Sequence, residues 1–177
     1  SKNNGFNFYD LDKYIEEKEG KKISEIFSDN NEIYFRKIEN NYLKEISQIK
    51  ENKIISTGGG TPCFQNNFEI IDGLPSSISV YLKATADTLA DRLKDSIEKR
   101  PLISHLQNPV ELKEFITKHL FERSFYYEKS KVIIKTDDLD VNTVVKLINQ
   151  LLTLIDTKSI FFIYHYIYMF VYWCRQT

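Results

Sequence analysis

Three consecutive glycines, in Ser56-Thr57-Gly58-Gly59-Gly60-Thr61-Pro62, follow a short apolar run at residues 53–56. With no side chains there, the backbone can turn freely and a ligand can come close to its N–H groups. A plain tight turn is the simpler reading, but a turn needs fewer glycines. Two acids, Asp10 and Asp12, follow another such run at residues 6–9. They can hold Mg2+ or its waters, or take the proton of a substrate hydroxyl. Either can equally cap the helix that runs on to Lys18. Arg36 and Glu39 are three apart and share a helix face. Arg36 can grip a carboxylate as a fork while Glu39 fixes it, or the two can form a solvated ion pair. Arg92, Arg100 and Arg123 suit phosphate charge, or serve solubility alone. Residues 94–109, polar and broken by Pro101 and Pro109, read as a mobile lid. His105, His119 and His165 form no spaced set.

Elements that aim such groups are visible in the pattern. Residues 6–9, 53–56, 78–82 and 132–134 read as strands. Between them, Phe35, Ile38, Tyr42 and Ile46 repeat at helical steps, as do Leu112, Phe115, Ile116 and Leu120. Val141, Val144, Val145, Ile148, Leu151, Leu152 and Ile155 form a third apolar face. Strands alternating with helices predict an α/β fold, a parallel sheet covered on both faces. Ligands of such sheets bind beyond the carboxyl ends of the strands. That puts Asp10, Asp12 and the glycine loop in one crevice.

Composition narrows the classes further. The 177 residues carry 24 Lys+Arg against 25 Asp+Glu, a net charge of -1, and are 42% hydrophobic. This is one globular domain, not a disordered chain, and it lacks a basic nucleic-acid footprint. Two cysteines, Cys63 and Cys174, make no disulfide scaffold and no metal spacing. Residues 1–12 contain no apolar signal core, so a cytoplasmic setting is expected. The chain opens on Ser1 and its one methionine is Met169, so it reads as a fragment or a processed piece. Residues 160–174 are uncharged and rich in Tyr, Phe and Ile. Three readings stay open for them: a non-native tail, a packed extra element, or a membrane segment. Fifteen helical residues span about 22 Å, short of the ~30 Å hydrocarbon core. Tyr164, Tyr166 and Tyr168 recur with a strand-like period of two.

In order and spacing, the set resembles the shikimate kinases, P-loop kinases of the nucleoside-monophosphate-kinase-like group. The resemblance rests on Phe8-Tyr9-Asp10-Leu11-Asp12, Ile26-Phe27, Glu32 with Tyr34-Phe35-Arg36 and Glu39, and the triple glycine. Arg92, Arg100-Pro101-Leu102 and Arg123 with Tyr126-Tyr127 complete it. It implies a three-layer fold with sheet order 2-3-1-4-5 and transfer of the γ-phosphate of ATP to the 3-hydroxyl of shikimate, on the route to chorismate and the aromatic amino acids. By this resemblance Asp12 binds the shikimate hydroxyls and orients or deprotonates the attacking one, and Asp10 holds Mg2+ through water. Arg36 and Arg123 grip the carboxylate, and Gly58, Gly59 and Gly60 line the pocket. Phe27, Phe35 and Pro101 form its apolar wall. Arg100 reaches the transferring phosphate from the lid (about residues 94–110), and Arg92 stacks on adenine. The implied partner is the small molecule alone, with no nucleic acid and no membrane, acting on a monomer.

The sequence departs from that pattern in one large respect. G-x-x-x-x-G-K-[ST], the loop that cradles ATP phosphates, occurs nowhere in the 177 residues. In the family it lies ahead of Asp10, after a first strand, on the order of 25 residues in all with its helix. The kinase-like part is then residues 1–155, lacking the central first strand, with 156–177 as an appended tail. Two half-sheets with exposed facing edges are expected, hence poor stability and little or no kinase activity. Thr136-Asp137-Asp138-Leu139 stands where the family often has an adenine-contacting arginine. Three rivals remain: a degenerate kinase that holds shikimate without ATP, another small-molecule kinase of the fold such as a gluconate kinase, and a membrane-tethered protein.

Overall fold

The computed structural model describes residues 5–74, 77–93, 108–153 and 160–165. In chain order the elements are β1 (Asn7–Asp10), α1 (Leu11–Glu19), α2 (Ile23–Asp29), α3 (Glu32–Gln48) and β2 (Lys53–Thr57). A 3-10 turn (Thr61–Cys63), α4 (Asn67–Gly73), β3 (Ser77–Lys83) and α5 (Ala86–Leu93) follow. The series ends with α6 (Pro109–Tyr127), β4 (Val132–Lys135), α7 (Val141–Thr153) and β5 (Ile160–His165).

All strands pair in parallel, in the order β1-β2-β5-β3-β4. Both faces are covered, as the apolar alternation required. Ile55, Tyr81 and Phe162 point into the larger core, shared with Leu11 and Ile15 of α1, Phe35 and Leu43 of α3, and Ile116 of α6. Ile54, Val80, Leu82, Ile134 and Phe161 point the other way, onto Val144, Leu147, Ile148 and Leu151 of α7. This is the expected three-layer α/β architecture.

The expected gap between two half-sheets is absent. Ile160–His165, read from sequence as part of an appended tail, is the central strand. Phe161 pairs in register with Ile54 on one side and Ile78 on the other, and Phe162 with Ile55 and Ser79. The reason is physical. A strand buried on both faces and paired on both edges must be apolar throughout and free of charge, and few segments of this chain qualify. Phe161 and Phe162 are both fully buried, and Phe6 meets Phe161 edge-on at 5.6 Å. Burying each ring stabilises the sheet by about 2–3 kcal/mol.

Local signals set the helix ends. Asp10 caps α1, its Oδ1 accepting from the Lys13 amide at 3.2 Å, and Gly20 ends that helix in the left-handed region at φ 65°. Asn31 caps α3 through the Tyr34 amide. At the other end of α3, the fully buried Lys53 donates its ammonium to the carbonyls of Ile46, Ser47 and Ile49. A charge from β2 thereby satisfies the last carbonyls of the preceding helix. Burial holds the Lys53 ammonium below its ordinary pKa.

Candidate functional site

The site lies where β1 and β2 end, and α1 and α3 supply its charged groups. Asp10 is spent in part on its cap, so of the two acids only Asp12 turns inward. Asp12 is buried in the first turn of α1, 6% exposed. A methyl group placed on Gly58 would lie 3.8 Å from both Asp12 carboxylate oxygens and 3.5 Å from the Thr61 hydroxyl. The missing side chain therefore lets the acid and the backbone approach each other. Burial, then the negative charges of Glu39 and Asp10, push the Asp12 carboxyl well above the usual carboxylate range, and Arg36 only partly opposes them.

Arg36 and Glu39 are not a solvated pair. Both are buried on α3, and Arg36 Nη1 donates to Glu39 Oε2 at 2.9 Å. Its Nε and Nη2 reach Glu32 Oε1, each at 3.3 Å. Burial alone would lower the Arg36 pKa, but Glu39 and Glu32 outweigh it and the guanidinium is held charged, above its ordinary value. Its flat face lies 4.0 Å from the Phe64 ring centroid, a cation–π contact. Phe27 and Phe35 pack at 4.6 Å between centroids beside it.

Glu39 continues the network. Its second oxygen accepts from Thr61 Oγ1 at 2.8 Å. The Thr61 carbonyl accepts from Asn67 Nδ2 at 2.8 Å, and Asn67 Oδ1 accepts from Asn40 Nδ2 at 2.7 Å. Charge on α3 is thus tied through buried bonds to the turn that ends the glycine loop. The loop is fixed from the other side by Tyr127 of α6, whose buried hydroxyl donates to the Gly59 carbonyl at 2.6 Å. Tyr127 in turn stacks on Tyr81 of β3 at 4.9 Å. Gly58, Gly59 and Gly60 are all buried. Thr57, just before them, is buried with its hydroxyl unpaired in the structure.

Arg123, half-buried on α6, joins this corner. Burial pushes the Cys63 thiol up to about 11, and the opposing charges of Arg123 and Arg36 both bear on it. Both arginines therefore act electrostatically on the turn that ends the glycine loop. Arg92 sits elsewhere, at the end of α5, where it donates to the carbonyl and hydroxyl of Thr136 beyond β4. The neighbouring Asp137 accepts from the Thr85 amide at 2.7 Å and the Thr88 hydroxyl at 2.8 Å. Arg100, Pro101 and the rest of the expected lid up to residue 107 lie outside the described residues, as does Cys174. His119 packs edge-on against Phe115, away from any cluster. No group of three or more His, Cys, Asp or Glu suited to a metal ion occurs among the described residues. No helix among them is long and apolar enough to cross a membrane.

The structure gathers Asp12, Arg36, Glu39 and the glycines, and it adds Tyr127, Asn40 and Asn67 as supports to which the sequence analysis gave no such place. Chemically, the corner offers two cations for a carboxylate, a buried acid for a hydroxyl, and backbone groups opened by missing side chains.

Comparisons with known proteins point to one family. A family model described as shikimate kinase matches residues 1–153. The shikimate kinase of Flavobacterium johnsoniae is 45% identical over 139 residues, covering 78% of this chain and 80% of that protein. That of Flavobacterium psychrophilum is 43% identical over 145 residues, covering 82% and 83%. Among solved structures, the shikimate kinase of Bacteroides thetaiotaomicron superposes with a TM-score of 0.73 at 35% identity, covering 84% of this chain and 83% of that one. The shikimate kinase of Acinetobacter baumannii, solved in complex with shikimate, gives a TM-score of 0.66 at 26% identity, covering 84% and 79%.

Proposed function

The chain belongs to the shikimate kinase family, and from that premise we propose that its cleft is the acceptor site of a small-molecule kinase, shaped for shikimate. One observation carries the reading. A buried Arg36, held charged by Glu39 and Glu32, shares a corner with Arg123 while Asp12 faces Gly58 across an open backbone. In this reading Arg36 and Arg123 take the carboxylate as a cationic fork. Asp12 accepts from the substrate hydroxyls and orients the one that reacts. Its pKa, raised by burial and the neighbouring acids, suits a group that exchanges a proton with the substrate. Gly58, Gly59 and Gly60 present backbone groups, and Phe27, Phe35 and Pro101 bound the ring on its apolar side.

The donor side is different. The family uses ATP, and Arg92 and Arg100 are the residues we assign to its adenine and its phosphates. G-x-x-x-x-G-K-[ST] does not occur in the 177 residues, so within them the phosphate role we assign falls to Arg100 alone. Asp10 is the single carboxylate we assign to Mg2+ through water, and its capping bond to Lys13 fixes its orientation. The reading extends to a cytoplasmic monomer that works without nucleic acid, consistent with a net charge of -1. It is tested by calorimetric titration of shikimate into the full chain and into Arg36→Lys. Saturable one-to-one binding, weakened at least tenfold by the loss of the planar fork, supports it. A folded chain that gives no heat with shikimate contradicts it.

A further inference from the structure

We propose that Thr61 is the positioning residue that keeps the Arg36 fork open for a ligand carboxylate, and that it thereby makes the site selective for an acid. The inference rests on the reading of the cleft as a shikimate site.

Arg36 carries N–H donors and no acceptor. Its Nε and Nη2 each give one to Glu32 Oε1, and its Nη1 gives one to Glu39 Oε2. Among the described residues that leaves one N–H on each terminal nitrogen. Two such donors on a planar group are what a carboxylate takes in a bidentate pair. They are also what Glu39 would take for itself. Glu39 is buried on the same helix face, three residues on, and a carboxylate beside a guanidinium gains most by using both oxygens. A Glu39 that gripped with both would fill the fork and leave nothing for a ligand.

Thr61 prevents this. Its hydroxyl donates to Glu39 Oε1 at 2.8 Å, which draws that oxygen off and leaves Oε2 alone to hold the arginine. Thr61 is fully buried, so the bond is shielded from bulk water. Nor can the residue turn away. Its N–H donates to the Gly58 carbonyl at 3.1 Å, and its carbonyl accepts from Asn67 Nδ2 at 2.8 Å. Asn67 is itself held by Asn40 of α3 at 2.7 Å. The polar groups of Thr61 thus have fixed partners on the glycine loop, on α4 and on α3. A valine in its place has the same branched shape and no donor. Glu39 Oε1 would then be buried and unpaired, and the spare donors of Arg36 are the ones it would take.

Calorimetric titration of the full chain tests this with two ligands, shikimate and its methyl ester, which lacks the carboxylate charge. Thr61→Val should bind shikimate about tenfold or more weakly, and the ester within about threefold of wild type. Thr61→Ser keeps the hydroxyl and should match wild type with both. A Thr61→Val chain that keeps its shikimate affinity overturns the proposal. So does one that melts cooperatively but loses both ligands equally, the mark of a merely structural role. If Thr61→Val does not melt cooperatively, arginine side-chain NMR of the wild-type chain decides. Saturation with shikimate should shift the Nη1 and Nη2 signals of Arg36 and leave its Nε–H unmoved, whereas a shift confined to Nε, or none, overturns the proposal. The two readings fail separately. A folded wild type that does not bind shikimate refutes the proposed function and this inference with it. A wild type that binds, with Thr61→Val unimpaired, refutes this inference alone.

Discussion

Replacing Asp12 by Asn should make the protein more stable at neutral pH while removing its acceptor chemistry. Asp12 is 6% exposed and feels three further acids, Glu39, Asp10 and Glu16, against the one opposing charge of Arg36. Folding therefore raises its pKa. The folded state holds the proton more tightly than the unfolded chain, so the stability it contributes is fully present below the unfolded value near 3.8. It is lost as pH rises through the folded value. Asn has the same size and never ionises, so it escapes that loss. Substitutions that relieve a strained functional group commonly return about 0.5–2 kcal/mol. The burial and the like charges here argue for the upper half, about 1–2 kcal/mol. In a chain of this size that is a rise in Tm of roughly 2–8 °C. Thermal melts of both proteins at pH 4 and pH 8 measure it. The gap should be wide at pH 8 and nearly closed at pH 4, and shikimate binding should weaken at both. If Asp12→Asn melts lower than wild type at pH 8, or the gap does not shrink on acidification, the account of the buried acid is wrong.

Three further outcomes follow from the same geometry. Gly58→Ala should melt within about 1 kcal/mol of wild type, because its methyl meets only ordinary contacts at 3.5–3.8 Å. It should nevertheless lose shikimate affinity by calorimetry, because that methyl fills the space before Asp12. Tyr127→Phe strips the hydrogen bond from the buried Gly59 carbonyl and should cost about 1–3 kcal/mol in urea unfolding. Cys63, its thiol pushed up to about 11, should resist alkylation in the folded chain at pH 8 and react on denaturation, as read by peptide mapping.

Much of the fold was legible because burial leaves a period in the sequence. The strands read at residues 53–56 and 78–82 became Lys53–Thr57 and Ser77–Lys83, and the helical repeat of Phe35, Ile38, Tyr42 and Ile46 became Glu32–Gln48. The central strand was not legible as such. An uncharged aromatic run has the composition of a doubly buried strand, but its partners lie about a hundred residues earlier, and nothing local names them. Among the site residues, spacing identified Arg36 and Glu39 but could not tell a buried pair from a solvated one. What decides it is that α3 is buried beyond its apolar stripe, with Arg36, Glu39, Asn40 and Ser47 all inside. Asn40 and Asn67 look like surface amides in sequence, and only the fold brings them together. For Asp10 and Asp12 the sequence offered cap and chemistry to both, and geometry gives the cap to Asp10 and the buried place to Asp12.

The most direct measurement of the central claim is an amide NMR titration of the full chain with shikimate. The chain has six glycines, so their signals can be followed one by one. An acceptor site built round the triple glycine predicts saturable shifts at Gly58, Gly59 and Gly60, with Gly5, Gly20 and Gly73 unmoved. Shifts absent from the loop, or spread equally over all six, would contradict it.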